Sequence, residues 1–200
     1  MNAPESNIEI PTIIGTPTEI GFYFGRIRVG ESLFALFQPP RAIAAHLPAA
    51  WNKNSELVDG AYSFCDGQAN TEAMAKAGSK LAQWALDQGM YLPSLDESDL
   101  QYRAFKPTGA KNDCWMRSGI NLSAEIPLQP YTPDFPKQTE LEAFRKGGAE
   151  AFDAKLHWTS TQYRAFSAYA WAQYFGTGGQ VLYYEHDEFA VRPVRRLLIR

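Results

Sequence analysis

The sequence predicts an α+β domain. Two capped helical patterns occupy the middle of the chain, between Asn70 and Phe105. Strand patterns rich in alternating aromatic and β-branched residues stand on either side, near Phe22–Val29 and from Trp158 to the C-terminus. The last stretch reads as a strand meander, which argues for an antiparallel sheet.

Taken in order, residues 1–19 carry Pro4, Pro11, Gly15 and Pro17 among Ser, Thr and Asn and read as an extended arm. The domain then runs over residues 20–200. "GFYFGRIRVGESLFALFQPP" reads as a strand, a turn near Gly30-Glu31 and a second strand stopped by Pro39-Pro40, which cannot continue a ladder. "NTEAMAKAGSKLAQWALDQG" reads as one helix, capped by Asn70, with Met74, Ala77, Leu81 and Trp84 on one face and Gly89 at its C-terminal turn. "SLDE" opens a second helix. Ser94 and Glu97 have the spacing of a reciprocal capping box, and Pro107 ends the helix. Residues 106–137 are rich in Pro and Gly and read as a long irregular connection of the specially packed or functional kind. A short helix is expected after Thr139, ended by Gly147-Gly148.

From there the reading is all strand. In "AYAWAQYF", Trp171 and Phe175 fall on one face and Ala170, Ala172 and Tyr174 on the other. "GTGG" supplies a tight turn, "QVLYYE" the returning strand, "EHDE" a second turn and "FAVRPVRRLLI" a last strand, giving two hairpins. The first strand, Phe22–Val29, is expected beside the last, Val191–Leu198.

The net charge of −3 supplies no electrostatic reason to expect nucleic acid. No apolar run has the length of a membrane span, and the N-terminus lacks the basic and apolar regions of a signal peptide. Synthesis in the cytoplasm is therefore expected, with Cys65 and Cys114 free and buried.

The chemistry that the residues carry is sparse. "HWTSTQY" sets Thr159, Ser160 and Thr161 beside His157, but no G-x-S-x-G elbow surrounds Ser160 and no nearby carboxylate orients the imidazole. The hydroxyls are expected to bond backbone. No HExxH, CxxC or P-loop occurs, and "EHDE" lacks the spacing of a calcium loop, so no catalytic residue, metal ligand or cofactor is expected.

Seven strings then line up in order: "DGQANT", "YLPSLDE", "FRKGGAEAF", "HWTSTQY", "AWAQYF", "GGQ" and "VRPVRR". Together, over about residues 20–196, they resemble a large bacterial and phage family of uncharacterised domains related to the C-type lectin-like fold. That resemblance implies an antiparallel sheet with two main helices and long irregular loops. It also implies a binding scaffold akin to phage receptor-binding proteins of the major tropism determinant type and to bacterial adhesins. The sequence departs from calcium-dependent sugar-binding lectins, having no Glu-Pro-Asn, Gln-Pro-Asp or Trp-Asn-Asp triplet.

In such relatives the ligand face lies near the C-terminal strands, which here means "QYRAFSAY" and "LYYEHDE". The residues expected to contact a ligand are Tyr163, Arg164, Phe166, Tyr169, Tyr183, Tyr184, Glu185 and His186. Rigid amphipathic aromatics give contact area at low entropic cost, which suits that role. Trp158, Trp171 and Phe175 are expected in the core. The implied setting is a virion: a tail- or fibre-associated homo-oligomer that binds a host surface receptor, protein or glycan, and attaches to other virion subunits through its N-terminal arm. The alternatives are a purely structural virion protein and an enzyme using His157 and Ser160.

Overall fold

The computed structural model describes residues 9–113, 120–126 and 129–199. It is an α+β structure with two sheets. The four-stranded sheet has the order β1-β2-β3-β9. Its strands are β1 (Pro17–Thr18), β2 (Gly21–Val29), β3 (Ser32–Gln38) and β9 (Arg195–Ile199). The five-stranded sheet has the order β4-β8-β5-β6-β7. It contains β4 (His46–Ala50), β5 (Leu156–Gln162), β6 (Tyr169–Tyr174), β7 (Gln180–Tyr184) and β8 (Glu188–Val191). All pairings are antiparallel except β5 with β8, which meet in parallel at His157 and Ala190.

The hairpin at Gly30 forms as expected, with the glycine at φ +59° and Val29 opposite Ser32. The last strand does not lie beside β2. The short β1 takes the outer edge of β2, so β9 pairs with the free edge of β3, Leu36 facing Arg196. The described part of the arm lies on this sheet. The Gly15 N–H donates to the Tyr23 carbonyl at 2.8 Å, and Ile10 packs against the cluster of Tyr23, Ala35 and Phe37.

Helices α1 (Arg41–Ala44), α2 (Gly67–Lys76), α3 (Lys80–Asp87) and α4 (Leu95–Phe105) complete the frame. The single helix expected from Asn70 to Gly89 is two helices. Gly78, at φ +93°, turns the chain, and the Ser79 side chain caps α3. Asp66, not Asn70, caps α2, its carboxylate accepting from the Ala69 N–H at 3.0 Å. Asn70 is buried instead and ties the Ser63 backbone to the Ser160 hydroxyl. The Ser94–Glu97 capping box on α4 is present in both directions. The helix expected after Thr139 is a single 3-10 turn, Glu142–Phe144.

One core lies under α4, where Phe24, Ile27, Leu36, Phe105, Phe144, Phe152 and Phe175 meet. Phe152 and Phe175 stack at 4.2 Å, and Phe105 and Phe144 at 3.9 Å. A second core joins α2 and α3 to Trp51, Trp158 and Val191. The described part of the long connection is packed through buried polar groups. The Lys106 ammonium donates to Ala110 O, Asn112 Oδ1 and Pro136 O, and the Tyr131 hydroxyl donates to Asp99 at 2.5 Å. Cys65 is a free, half-buried thiol, less covered than expected, and Cys114 lies outside the described residues. Among the described residues, no helix is long and apolar enough to cross a membrane.

Candidate ligand-binding surfaces at the β6–β7 hairpin

The hairpin of β6 and β7 turns at Phe175–Gly179 and pairs Tyr169 with Tyr184, Trp171 with Leu182 and Gln173 with Gln180. Successive side chains of a strand point to opposite faces. Tyr169, Trp171, Leu182 and Tyr184 therefore share one face, and Tyr174, Val181 and Tyr183 share the other. The expectation of one continuous surface carrying both Tyr183 and Tyr184 does not hold: period-two alternation separates them.

The first face carries two clusters of rings. Tyr169 and Tyr184 lie 4.4 Å apart between centroids, and His186 stacks on Tyr184 at 5.3 Å. Trp171 meets Tyr163 edge-on at 6.1 Å, and Tyr163 meets Phe166 at the same distance. The loop between β5 and β6 holds these rings in place. The Tyr163 N–H donates to Tyr169 O, Phe166 N–H to Tyr163 O, and Tyr169 N–H to Phe166 O, at 2.8–3.1 Å.

Residues that the sequence reading missed extend this face. Phe64 packs on Trp171 at 6.5 Å, and the Arg164 guanidinium lies 4.8 Å over the Tyr62 ring. Phe166 is 65% exposed, Tyr184 46% and Phe64 41%, so the rings present area to solvent while holding one another. Trp171 is half-buried and belongs to this face, whereas Trp158 and Phe175 are fully buried as expected. An aromatic residue among the turn-formers of "AYSFCDG" is the signal that could have found Phe64.

Glu185 is a correction. It is fully buried and presents nothing to a ligand. Its N–H donates to Ala168 O, its carbonyl accepts from Trp51 and Asn52, and its Oε1 accepts from Gln162 Nε2 at 2.7 Å. Gln162 Nε2 also donates to Glu56 O and Ser167 O. The Gln162–Glu185 pair thus fastens three loops beneath the aromatic face. Loss of hydration pushes the Glu185 carboxyl up to about 7.

The second face lines a groove of about 1010 Å³. Leu47, Pro48, Leu156, Tyr174, Val181, Tyr183 and Phe189 form its apolar wall, with Arg41, Asp153, Lys155 and Glu188 among its charged residues. Tyr183 meets Phe189 edge-on at 5.0 Å. The second hairpin expected at "EHDE" is absent: β8 crosses to lie between β4 and β5, where Phe189 packs on Trp158 at 4.6 Å. That crossing builds the groove, which explains why it was not legible as a local pattern.

His157 also borders the groove, but it is buried against Phe175 and Phe152. Its Nδ1 donates to Lys155 O at 3.1 Å, and burial holds the ring down to about 4, so it is neutral at pH 7. Ser160 lies elsewhere. Its N–H donates to Pro93 O and its hydroxyl accepts from Asn70. No hydrogen bond joins His157 to Ser160 among the described residues. The Thr159 and Thr161 hydroxyls donate to Trp171 O and Ser63 O, as strand-end hydroxyls do. Among the described residues, no group of three or more His, Cys, Asp or Glu side chains is gathered to hold a metal.

No protein-family model, curated protein or solved structure matches the chain.

Proposed function

We propose that this chain is a non-enzymatic recognition module with a C-type lectin-like fold, a phage or prophage tail- or fibre-associated protein that binds a host surface receptor. The observation that carries this reading is the aromatic face of the β6–β7 hairpin, where Tyr169, Tyr184 and His186 form one cluster of rings and Tyr163, Phe166 and Trp171 form another. Partly exposed aromatics held rigid by their neighbours are the side chains from which binding hot spots are built. The fold assignment rests on the ordered strings of the sequence. The return of the last strand to the first sheet, with the ligand hairpin in a separate sheet, agrees with it.

The recognition surface comprises Tyr163, Arg164, Phe166, Tyr169, Trp171, Tyr184 and His186, with Tyr62 and Phe64 at its margin. Glu185 acts beneath it as a positioning residue. The test is adsorption to intact cells of candidate host strains. Phe166→Ala with Tyr184→Ala abolishes adsorption in this reading, and unchanged adsorption by the folded double variant refutes it.

A further inference from the structure

We propose that Gln162 and Glu185 form a pH-sensitive latch beneath the β6–β7 hairpin, closed while the Glu185 carboxyl is protonated and opened when it ionises. The latch stands on hydrogen-bond geometry. Only its consequence for recognition rests on the function proposed above.

Three segments meet at the latch: residues 51–58, the loop 163–168 and the turn that follows β7. Gln162, the last residue of β5, is almost fully buried and bonds to all three. Its Oε1 accepts from the Val58 N–H at 2.8 Å. Its Nε2 lies 2.7 Å from Glu56 O, 3.0 Å from Ser167 O and 2.7 Å from Glu185 Oε1. A carboxamide nitrogen carries two hydrogens, so three acceptors compete for two donors.

The proton on Glu185 decides that competition. In the neutral carboxyl, Oε1 is an ordinary carbonyl acceptor and shares the donors with the two backbone carbonyls. An ionised carboxylate takes the stronger, charge-assisted bond and leaves one hydrogen for Glu56 O and Ser167 O together. Its other oxygen, Oε2, is buried with no hydrogen-bond partner. A negative charge there is costly, so ionisation draws water in and parts the segments. Loss of hydration raises the carboxyl from 4.5 to about 7. The latch is therefore fully closed below 4.5 and is lost as pH rises through about 7.

Neighbouring groups do not supply the missing partner. The charged or titratable side chains on these elements are Lys53, Glu56 and Asp59 before α2, Tyr163, Arg164 and Tyr169 around the loop, and Tyr184, His186, Asp187 and Glu188 around the turn. None of them bonds the Glu185 carboxyl, whose side-chain partner among the described residues is Gln162.

The closed segments are also held against strain. Ser55 sits at φ +53°, a left-handed conformation that is costly for a residue with a Cβ, and the Ser167 hydroxyl pins its carbonyl at 2.9 Å. Because the loop 163–168 carries Phe166, opening the latch unseats part of the aromatic face.

The experiment is amide exchange of the full chain, followed by NMR between pH 6 and pH 8 and corrected for the intrinsic pH dependence of exchange. The reporters are the Val58, Trp51 and Glu185 amides, whose bonds cross between the segments. Their protection should fall about 10-fold over that range, as follows from a carboxyl at about 7 when closed and 4.5 when open. In Glu185→Gln, which keeps the acceptor for Gln162 and cannot ionise, protection should be equal at both ends of the range. Glu97 and His157 still titrate in that variant, so a fall that persists there overturns the proposal. Wild-type protein alone gives a second check if the variant fails to fold. Its corrected exchange rate should reach half its plateau at the pH where the Glu185 carboxyl carbon titrates. Unchanged protection in the wild type, or midpoints more than about one pH unit apart, overturns the latch. No ligand enters the measurement, so its failure is distinct from a failure of the recognition role.

Discussion

Tyr169 and Tyr184 face each other directly across the β6–β7 ladder, with ring centroids 4.4 Å apart and planes inclined by 32°. A hydrogen bond in which the Tyr169 hydroxyl donates to Tyr184 is the main influence that raises the Tyr169 phenol above its ordinary value. Tyr184→Phe keeps the ring and removes that bond. The Tyr169 phenol should then titrate at lower pH, as followed by the NMR shift of its ring carbon bearing oxygen. An unmoved titration would show that the pair is only apposed.

Phe166 separates binding from folding. It is mostly exposed and touches Tyr163. Phe166→Ala should change stability by no more than about 0.5 kcal/mol, as surface substitutions do. At a hot spot, it should weaken ligand binding by about 2 kcal/mol. Chemical denaturation measures the first and a binding isotherm the second.

The capping box of α4 supports a helix that is almost wholly buried. Ser94 is fully buried, accepts from the Glu97 N–H, and its own N–H donates to the Glu97 carboxylate at 2.7 Å. Ser94→Ala should cost about 1–2 kcal/mol in urea denaturation. A loss below a few tenths would mean that the packing of α4, not its cap, fixes where it starts.

Stability should depend on pH in a definite direction. Burial pushes the Glu97 and Glu185 carboxyls up to about 7. Each binds its proton more tightly folded than unfolded. Its contribution is complete below the ordinary carboxyl value of 4.5 and is lost as pH rises to about 7. His157 has the opposite sense. Held down to about 4, it costs stability as pH falls from its ordinary 6.5 toward 4. Two carboxyls oppose one imidazole where the windows overlap, and above 6.5 the carboxyls act alone. The melting temperature should therefore fall between pH 5 and pH 8. Glu97→Gln, which keeps a side chain able to complete the cap, should flatten that fall by on the order of 2 kcal/mol. An unchanged slope in this variant would contradict the assignment.

Local chemistry was legible in the sequence, and long-range pairing was not. The Ser94–Glu97 box, the Gly30 turn and the β6–β7 hairpin each depend on residues a few positions apart, and all are present. The break at Gly78 was hidden because the apolar spacing continues across it from Met74 to Leu81. The placement of β9 beside β3 and of β8 between β4 and β5 depends on which edges remain free, a property of the assembled sheets. The same limit applies to the site. Tyr163, Phe166, Tyr169 and Tyr184 are brought together, while alternation sends Tyr183 to the groove and the Gln162 amide draws Glu185 inward. A charged residue in a turn reads as exposed until its partner, here 23 positions away, is known.

In the proposed function the Tyr184 face, and not the Tyr183 face, recognises a cell surface. The direct measurement is saturable binding of fluorescently labelled protein to intact bacteria of a strain panel. Wild-type protein and Tyr183→Ala are compared with Phe166→Ala/Tyr184→Ala, all verified as folded by circular dichroism. Wild-type protein and Tyr183→Ala should bind the same strains with similar affinity, and the double variant should bind none. Binding that survives in the double variant but disappears with Tyr183→Ala would place recognition in the groove and contradict recognition by the Tyr184 face.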